Sequence, residues 1–180
     1  MKFELCIRSV KKEDAFEIVD IYNYYINQSV HSSEETELNT VEMLNRIKEY
    51  TSKEFPWIVI TKIYEDHTHE LIGYCYLSPW RPRSTYRYTA ESSIYLKYSE
   101  TGKGYGKELY KTLIDIAKNK KEYHSIIGVV SSQNISSIKL HQDLGFEHVG
   151  TFREVSRKFN QWISKEFWQL IITDSEIDPP

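Results

Sequence analysis

The residues best suited to chemistry are a glycine run, one glutamate and one histidine. In Thr101-Gly102-Lys103-Gly104-Tyr105-Gly106-Lys107, glycines follow a strand-like segment and precede Leu109, Tyr110, Leu113, Ile114 and Ala117, an apolar stripe at helical spacing. A strand that bends through glycines into a helix leaves backbone N–H groups free at the positive end of the helix dipole, and such a bend holds phosphate. The run lacks the Lys-Ser/Thr ending of a nucleoside-triphosphate loop, and its third glycine comes one residue early for the dinucleotide fingerprint. Glu91, inside a strand-like segment, can accept a proton, and partial burial would raise its pKa toward a useful range. His141, on a short helix behind Asn134, can donate one. Taken singly, these are also what a flexible turn, a solvated carboxylate and a structural histidine look like.

Together they form a pattern. Glycine run, helix, strand, Asn134, helix and Leu144-Gly145-Phe146 resemble the acetyl-CoA-binding core of the GNAT superfamily, whose turn reads [Q/R]-x-x-G-x-[G/A]; Thr101 departs from the usual Gln or Arg. Pro79-Trp80-Arg81-Pro82-Arg83-Ser84-Thr85-Tyr86 and Ala90-Glu91-Ser92-Ser93-Ile94-Tyr95-Leu96 look like the phosphinothricin N-acetyltransferase group within it, as do Ile21 to Ile26, Pro56-Trp57, Ile72-Gly73-Tyr74 and Phe167 to Leu170. The likeness spans nearly the whole chain. Ser33 stands near where that group usually carries phenylalanine.

The resemblance implies acetyl-CoA as cosubstrate, with Gly102, Lys103, Gly104, Tyr105, Gly106 and Lys107 at its phosphates. Backbone groups of Ile94, Tyr95 and Leu96, with Asn134, would meet its pantetheine arm. It implies Glu91 as the base that deprotonates the amine and His141 as the acid that meets the departing thiolate. Arg81 and Arg83 are candidates to grip an acceptor carboxylate or phosphinate, with Tyr86 orienting the other end. The acceptor is then the amine of a small amino-acid-like compound, and transfer is direct. A protein N-terminus, a polyamine, or a domain that binds acyl-CoA without catalysis remain alternatives. The group is generally homodimeric, so a homodimer is expected.

The elements that must position these residues follow from periodicity. Phe3–Ser9 alternates as a strand, and Ala15, Ile18, Tyr22, Tyr25 and Ile26 repeat as a helix. Asn39, three residues before Glu42, starts a second helix ending near Tyr50. Strands are predicted over Trp57–Tyr64, Leu71–Leu77, Thr89–Leu96, Ser125–Val130, Phe146–Phe152 and Glu166–Thr173, with a helix between Asn134 and Gly145. The order β-α-α-β-β-β-α-β-α-β-β implies an α/β fold, and the resemblance makes it the GNAT fold: a mixed, mostly antiparallel seven-stranded sheet with helices on both faces, one domain over residues 1–180.

Composition narrows the partners. A net charge of −3 with both signs intermixed offers no field for a nucleic-acid backbone, and no basic amphipathic or long apolar segment addresses a membrane. Cys6 and Cys75, far apart and outside any CxxC pattern, suggest neither disulfide nor zinc site. His67 and His69, between Asp66 and Glu70 at a hairpin tip, lack distant partner ligands, so no metal is expected. With Glu4 and Arg8 where a secretion signal needs an apolar run, a cytoplasmic protein is expected.

Overall fold

A computed structural model describes residues 2–173. Chain order is β1 (Phe3–Ser9), α1 (Ala15–Gln28), α2 (Thr40–Thr51), β2 (Trp57–Tyr64), β3 (His69–Pro79), β4 (Thr89–Leu96), α3 (Tyr105–Lys120), β5 (Ser125–Ser131), α4 (Ile135–Asp143), β6 (Glu147–Lys158) and β7 (Gln161–Ile171). The strands form one sheet in the order β1-β2-β3-β4-β5-β7-β6. The β4–β5 pair is parallel and the other pairs are antiparallel. The predicted fold class is therefore observed.

Alternation along the strands sends side chains to two faces, and each face has its own core. On one, Ile58, Ile60, Ile72, Leu77 and Ala90 pack against Leu109, Tyr110 and Leu113 of α3. On the other, Trp57, Val59, Tyr74 and Tyr76 pack against Ile18, Tyr22 and Ile26 of α1 and Met43 and Ile47 of α2. Trp57 and Tyr76 stack with ring centroids 4.1 Å apart, which accounts for several of the chain's many aromatics.

Local signals operate where the sequence places them. Asn39 accepts hydrogen bonds from the N–H groups of Val41 (2.9 Å) and Glu42 (3.0 Å), and Glu42 accepts from the Asn39 N–H at 2.8 Å, completing a capping box. The glycine after α4, Gly145, has φ 85°, the left-handed conformation that ends a helix. Among the described residues no helix is long and apolar enough to cross a membrane.

Three strands depart from the sequence reading by two or more residues at an end. β6 runs to Lys158 rather than Phe152, β7 starts at Gln161 rather than Glu166, and β3 spans His69–Pro79 rather than Leu71–Leu77. The long β6–β7 hairpin turns at Phe159 and Asn160, both at positive φ (49° and 59°). That geometry suits tightly twisted two-residue turns and is usually announced by Asn-Gly, a signal Phe-Asn does not give.

The start of α1 is fixed by a carboxylate. Asp14, 6% exposed, accepts from Arg8 at 2.7 and 2.8 Å and from the Lys11 N–H at 2.7 Å. Burial opposes its charge, but the Arg8 and Lys11 hydrogen bonds outweigh burial and hold the carboxyl below its usual range. Its contribution is thus complete above the ordinary carboxylate pKa and fades as pH falls through the lowered value. Asp14→Asn should cost about 2–3 kcal/mol in urea unfolding at pH 7, and the gap to wild type should narrow as the pH drops through that value.

Candidate active site

The parallel ladder between β4 and β5 is short. It runs from Thr89↔Ser125 to Ser92↔Gly128 and stops. β4 continues to Leu96 held by β3, and β5 continues to Ser131 held by β7, so the two strands separate. Backbone groups of Ser93 to Leu96 that would pair with β5 are left for another partner, since buried N–H and C=O groups must be satisfied. A cavity of about 1360 Å³ occupies the gap and opens on both faces of the sheet. Alternation aims Glu91, Ser93 and Tyr95 at the α1/α2 face, and Ser92, Ile94 and Leu96 at the α3/α4 face.

On the α3/α4 side the cavity meets the glycine turn. Gly102 (φ 75°) and Gly104 (φ 89°) adopt left-handed conformations, and no side chain caps the N-terminus of α3. The first N–H groups of α3 have no partner within the helix. Thr101, Gly102, Gly104, Gly106 and Lys107 line the wall, so a phosphate fits the open bend. Lys103 and Tyr105 are not in the wall. The Lys103 ammonium lies 3.2 Å from Glu100, and Tyr105 packs on the core beside Lys62. Glu100 also meets the buried Lys62 at 2.7 Å, which ties the turn before the glycines to β2. Asn134 lines the cavity and also caps α4, accepting from the Ser137 N–H at 3.1 Å.

Glu91 and His141 both border this space, from opposite faces of the sheet. Burial pushes the Glu91 carboxyl above its usual range, and the charge of Arg81 partly offsets that. His141, 3% exposed, sits directly over Gly128, where no larger residue leaves room for the imidazole. Its Nδ1 lies 2.8 Å from the Ser137 carbonyl oxygen, an acceptor only, so Nδ1 carries the proton. Burial lowers its pKa, and in the neutral ring Nε2 accepts from the Tyr110 hydroxyl at 3.2 Å. Tyr110 in turn lies 2.5 Å from the Ser92 hydroxyl. The neutral string runs Ser92 to Tyr110 to His141 to the Ser137 carbonyl. A proton added at Nε2 reverses the first two bonds and leaves the Ser92 hydroxyl donating to the Ile127 carbonyl oxygen at 3.2 Å. The charge state of His141 is therefore coupled to Tyr110 and Ser92, neither of which its sequence position suggests.

The predicted acceptor residues lie elsewhere. Arg81 stacks on Trp80 at 4.7 Å, Arg83 precedes the exposed turn Ser84–Tyr86, and Tyr86 is exposed. None of Arg81, Arg83 and Tyr86 lines the cavity, although the charge of Arg81 reaches Glu91. On the α1/α2 side the wall includes Tyr22, His31, Ser33, Arg46, Tyr50 and Lys165, with the carboxylates of Glu34, Glu42 and Glu49. Arg46 is paired with Glu34 at 2.8 Å. Lys165 escapes sequence reading because the predicted strand begins one residue after it; a charge at an inward position of β7 was the available signal.

A model of the "Acetyltransferase (GNAT) domain" family matches residues 7–167. The chain is similar to the L-methionine sulfoximine/L-methionine sulfone acetyltransferase of Salmonella typhimurium, 31% identical over 92% of this chain and 94% of the relative. It is also similar to the phosphinothricin N-acetyltransferase of Alcaligenes faecalis, 31% identical over 91% of this chain and 80% of the relative. Among solved structures, a phosphinothricin acetyltransferase from Sinorhizobium meliloti in complex with acetyl-CoA superposes with TM-score 0.89 at 30% identity, covering 98% of this chain and 93% of that one. An acetyltransferase from Salmonella typhimurium with its cofactor acetyl-CoA gives TM-score 0.89 at 28% identity, covering 97% and 98%.

The fit of His141 over Gly128 is directly testable. A methyl group at Gly128 would overlap the imidazole, whereas one at Gly150 meets nothing within 4 Å. Gly128→Ala should lose roughly 1–3 kcal/mol from overpacking and Gly150→Ala far less, by thermal or urea unfolding.

Proposed function

The chain belongs to the GNAT acetyltransferase family, and on that premise we propose that it acetylates the amine of a small amino-acid-like compound of the phosphinothricin, methionine sulfone or methionine sulfoximine type. The observation carrying this reading is a half-buried carboxylate, Glu91, on one side of a gap whose other side holds the glycine turn. Acetyl-CoA supplies an acyl thioester. Backbone N–H groups at Gly102, Gly104 and Gly106 hold its phosphates with the charge of Lys107, and the freed backbone of Ile94 and Tyr95 aligns its arm with Asn134. At Leu96 the carbonyl already accepts from the Tyr25 hydroxyl at 2.7 Å, whose pKa burial pushes up to about 12, so that phenol stays a donor.

An ammonium has no lone pair, so the acceptor must shed a proton before it can attack. Glu91 takes it, directly or through water, aided by burial that makes the carboxylate more basic. The leaving thiolate gains the Nε2 proton of protonated His141, and the ring returns to its neutral form, in which Nε2 again accepts from the Tyr110 hydroxyl. Burial raises the Cys75 thiol well above its ordinary pKa, which disfavours a thiolate nucleophile and supports direct transfer. The whole of 1–180 is read as one catalytic domain, working in the cytoplasm, where two free cysteines are at ease.

A homodimer is part of the proposal. β6 is an edge strand, and Val149, Phe152 and Val155 on it, with Trp162 on β7, are each more than half exposed. Such an apolar edge calls for cover. Sedimentation should give twice the chain mass, and Phe152→Asp with Trp162→Asp should shift the protein toward monomer.

Glu91→Gln should lower kcat/KM roughly 10²–10⁴-fold while calorimetry shows unchanged acetyl-CoA binding; undiminished turnover would remove Glu91 from the mechanism. Arg81→Ala takes away the cation that lowers the Glu91 pKa. The acid limb of the kcat/KM profile should therefore move to higher pH in that variant.

A further inference from the structure

Lys165 is a buried cation with no counter-ion among the described residues, inside the half of the cavity where the acceptor must sit. It is 7% exposed and lines the cavity wall. Burial and the neighbouring charge of Lys158 both lower its pKa, and among the described residues no carboxylate pairs with it. The nearby acids are engaged or turned away. Glu34 binds Arg46 at 2.8 Å and the Tyr22 hydroxyl at 3.0 Å, Glu166 takes the Trp168 indole N–H at 3.2 Å, and Glu35 is exposed.

The other two bases of the cluster do not neutralise it either. Lys158 spends its ammonium on the Ser32 carbonyl at 3.1 Å and the Tyr25 carbonyl at 3.5 Å, near the negative end of α1. His31 is held toward its neutral form by burial and by both lysines. An isolated buried ammonium is unfavourable, and residues that lower stability in this way are commonly kept for binding.

Register places Lys165 relative to the base. Glu91 lies opposite Ile127 of β5, and Lys165 lies opposite Ser131 of the same strand. Four residues along a strand return to the same face and cover about 13 Å. Glutamate and lysine side chains reaching from those positions leave room for a small amino acid between them.

We propose that Lys165 binds the carboxylate of the acceptor, and so selects amines that carry an acid group. This role rests on the acetyl-transfer reading above and differs from the loop arginines, which lie outside the cavity wall. The carboxylate supplies the missing counter-charge, while the amine of the same molecule meets Glu91. An acceptor without an acid group would leave the Lys165 ammonium unmatched.

The test compares L-methionine sulfone with its carboxamide as acceptors for wild type, Lys165→Met and Lys165→Arg. Wild type should favour the acid in kcat/KM by roughly 10–100-fold, the value of a hydrogen bond to a charged group. Lys165→Met should bring that ratio close to one, and Lys165→Arg should restore most of it. A ratio in Lys165→Met equal to wild type overturns the proposal. Binding is read separately, by the thermal shift that methionine sulfone produces on protein saturated with CoA. The shift should be present in wild type and lost in Lys165→Met, whose own melting temperature should be higher without ligand. If wild type turned over no amine, the acetyl-transfer reading would fail while this shift still judged Lys165; an equal shift in both proteins would overturn its role.

Discussion

The structure depends on the separation of two parallel strands. After Ser92 and Gly128, β4 stays with β3 and β5 stays with β7, and none of the described residues fills the wedge between them. Sheets ordinarily bury every inner ladder bond, so this gap leaves a row of backbone groups in want of a partner. It also joins the two faces of the sheet. Without it, Glu91 on the α1/α2 face and the glycine turn on the α3/α4 face would be separated by a continuous layer of backbone. In the reaction proposed above, the gap allows a thioester held on one side to meet an amine delivered from the other.

Around the gap, burial tunes each charged group differently. Glu91 becomes more basic because burial disfavours its charged form and the charge of Arg81 only partly corrects this. His141 becomes less basic for the same reason, and its neutral ring is then locked by Ser137 and Tyr110. The Glu100–Lys62 pair, also shielded from solvent, has its charges matched at 2.7 Å and serves to anchor the turn. Lys165 has the burial without the match. The Glu100–Lys62 pair is complete within the fold, whereas Lys165 faces the cavity.

Much of this was legible in the amino-acid order, for identifiable reasons. The glycine turn could be found because left-handed backbone at Gly102 and Gly104 needs glycine, and α2 because Asn39 and Glu42 close a capping box. Glu91 and His141 stood out through their place in a family pattern. Tyr110 did not, since its position in the apolar stripe of α3 made it look like core, which it also is. The loop arginines were plausible anion ligands by residue type, but a sequence does not reveal that Arg81 lies over Trp80, outside the cavity wall. Lys165 was hidden by a strand boundary. The β6–β7 hairpin turns through Phe159 and Asn160, a pair that carries no strong turn signal, so the inward alternation of β7 could not be followed back far enough.

A gap open to both faces lets the two substrates be present together, and the chemistry then needs no acetylated enzyme. Initial rates measured while acetyl-CoA and amine are varied against each other decide this most directly. Reciprocal plots should intersect, as a complex of both substrates requires. Parallel lines, with CoA released in a burst before any amine is added, would contradict the account.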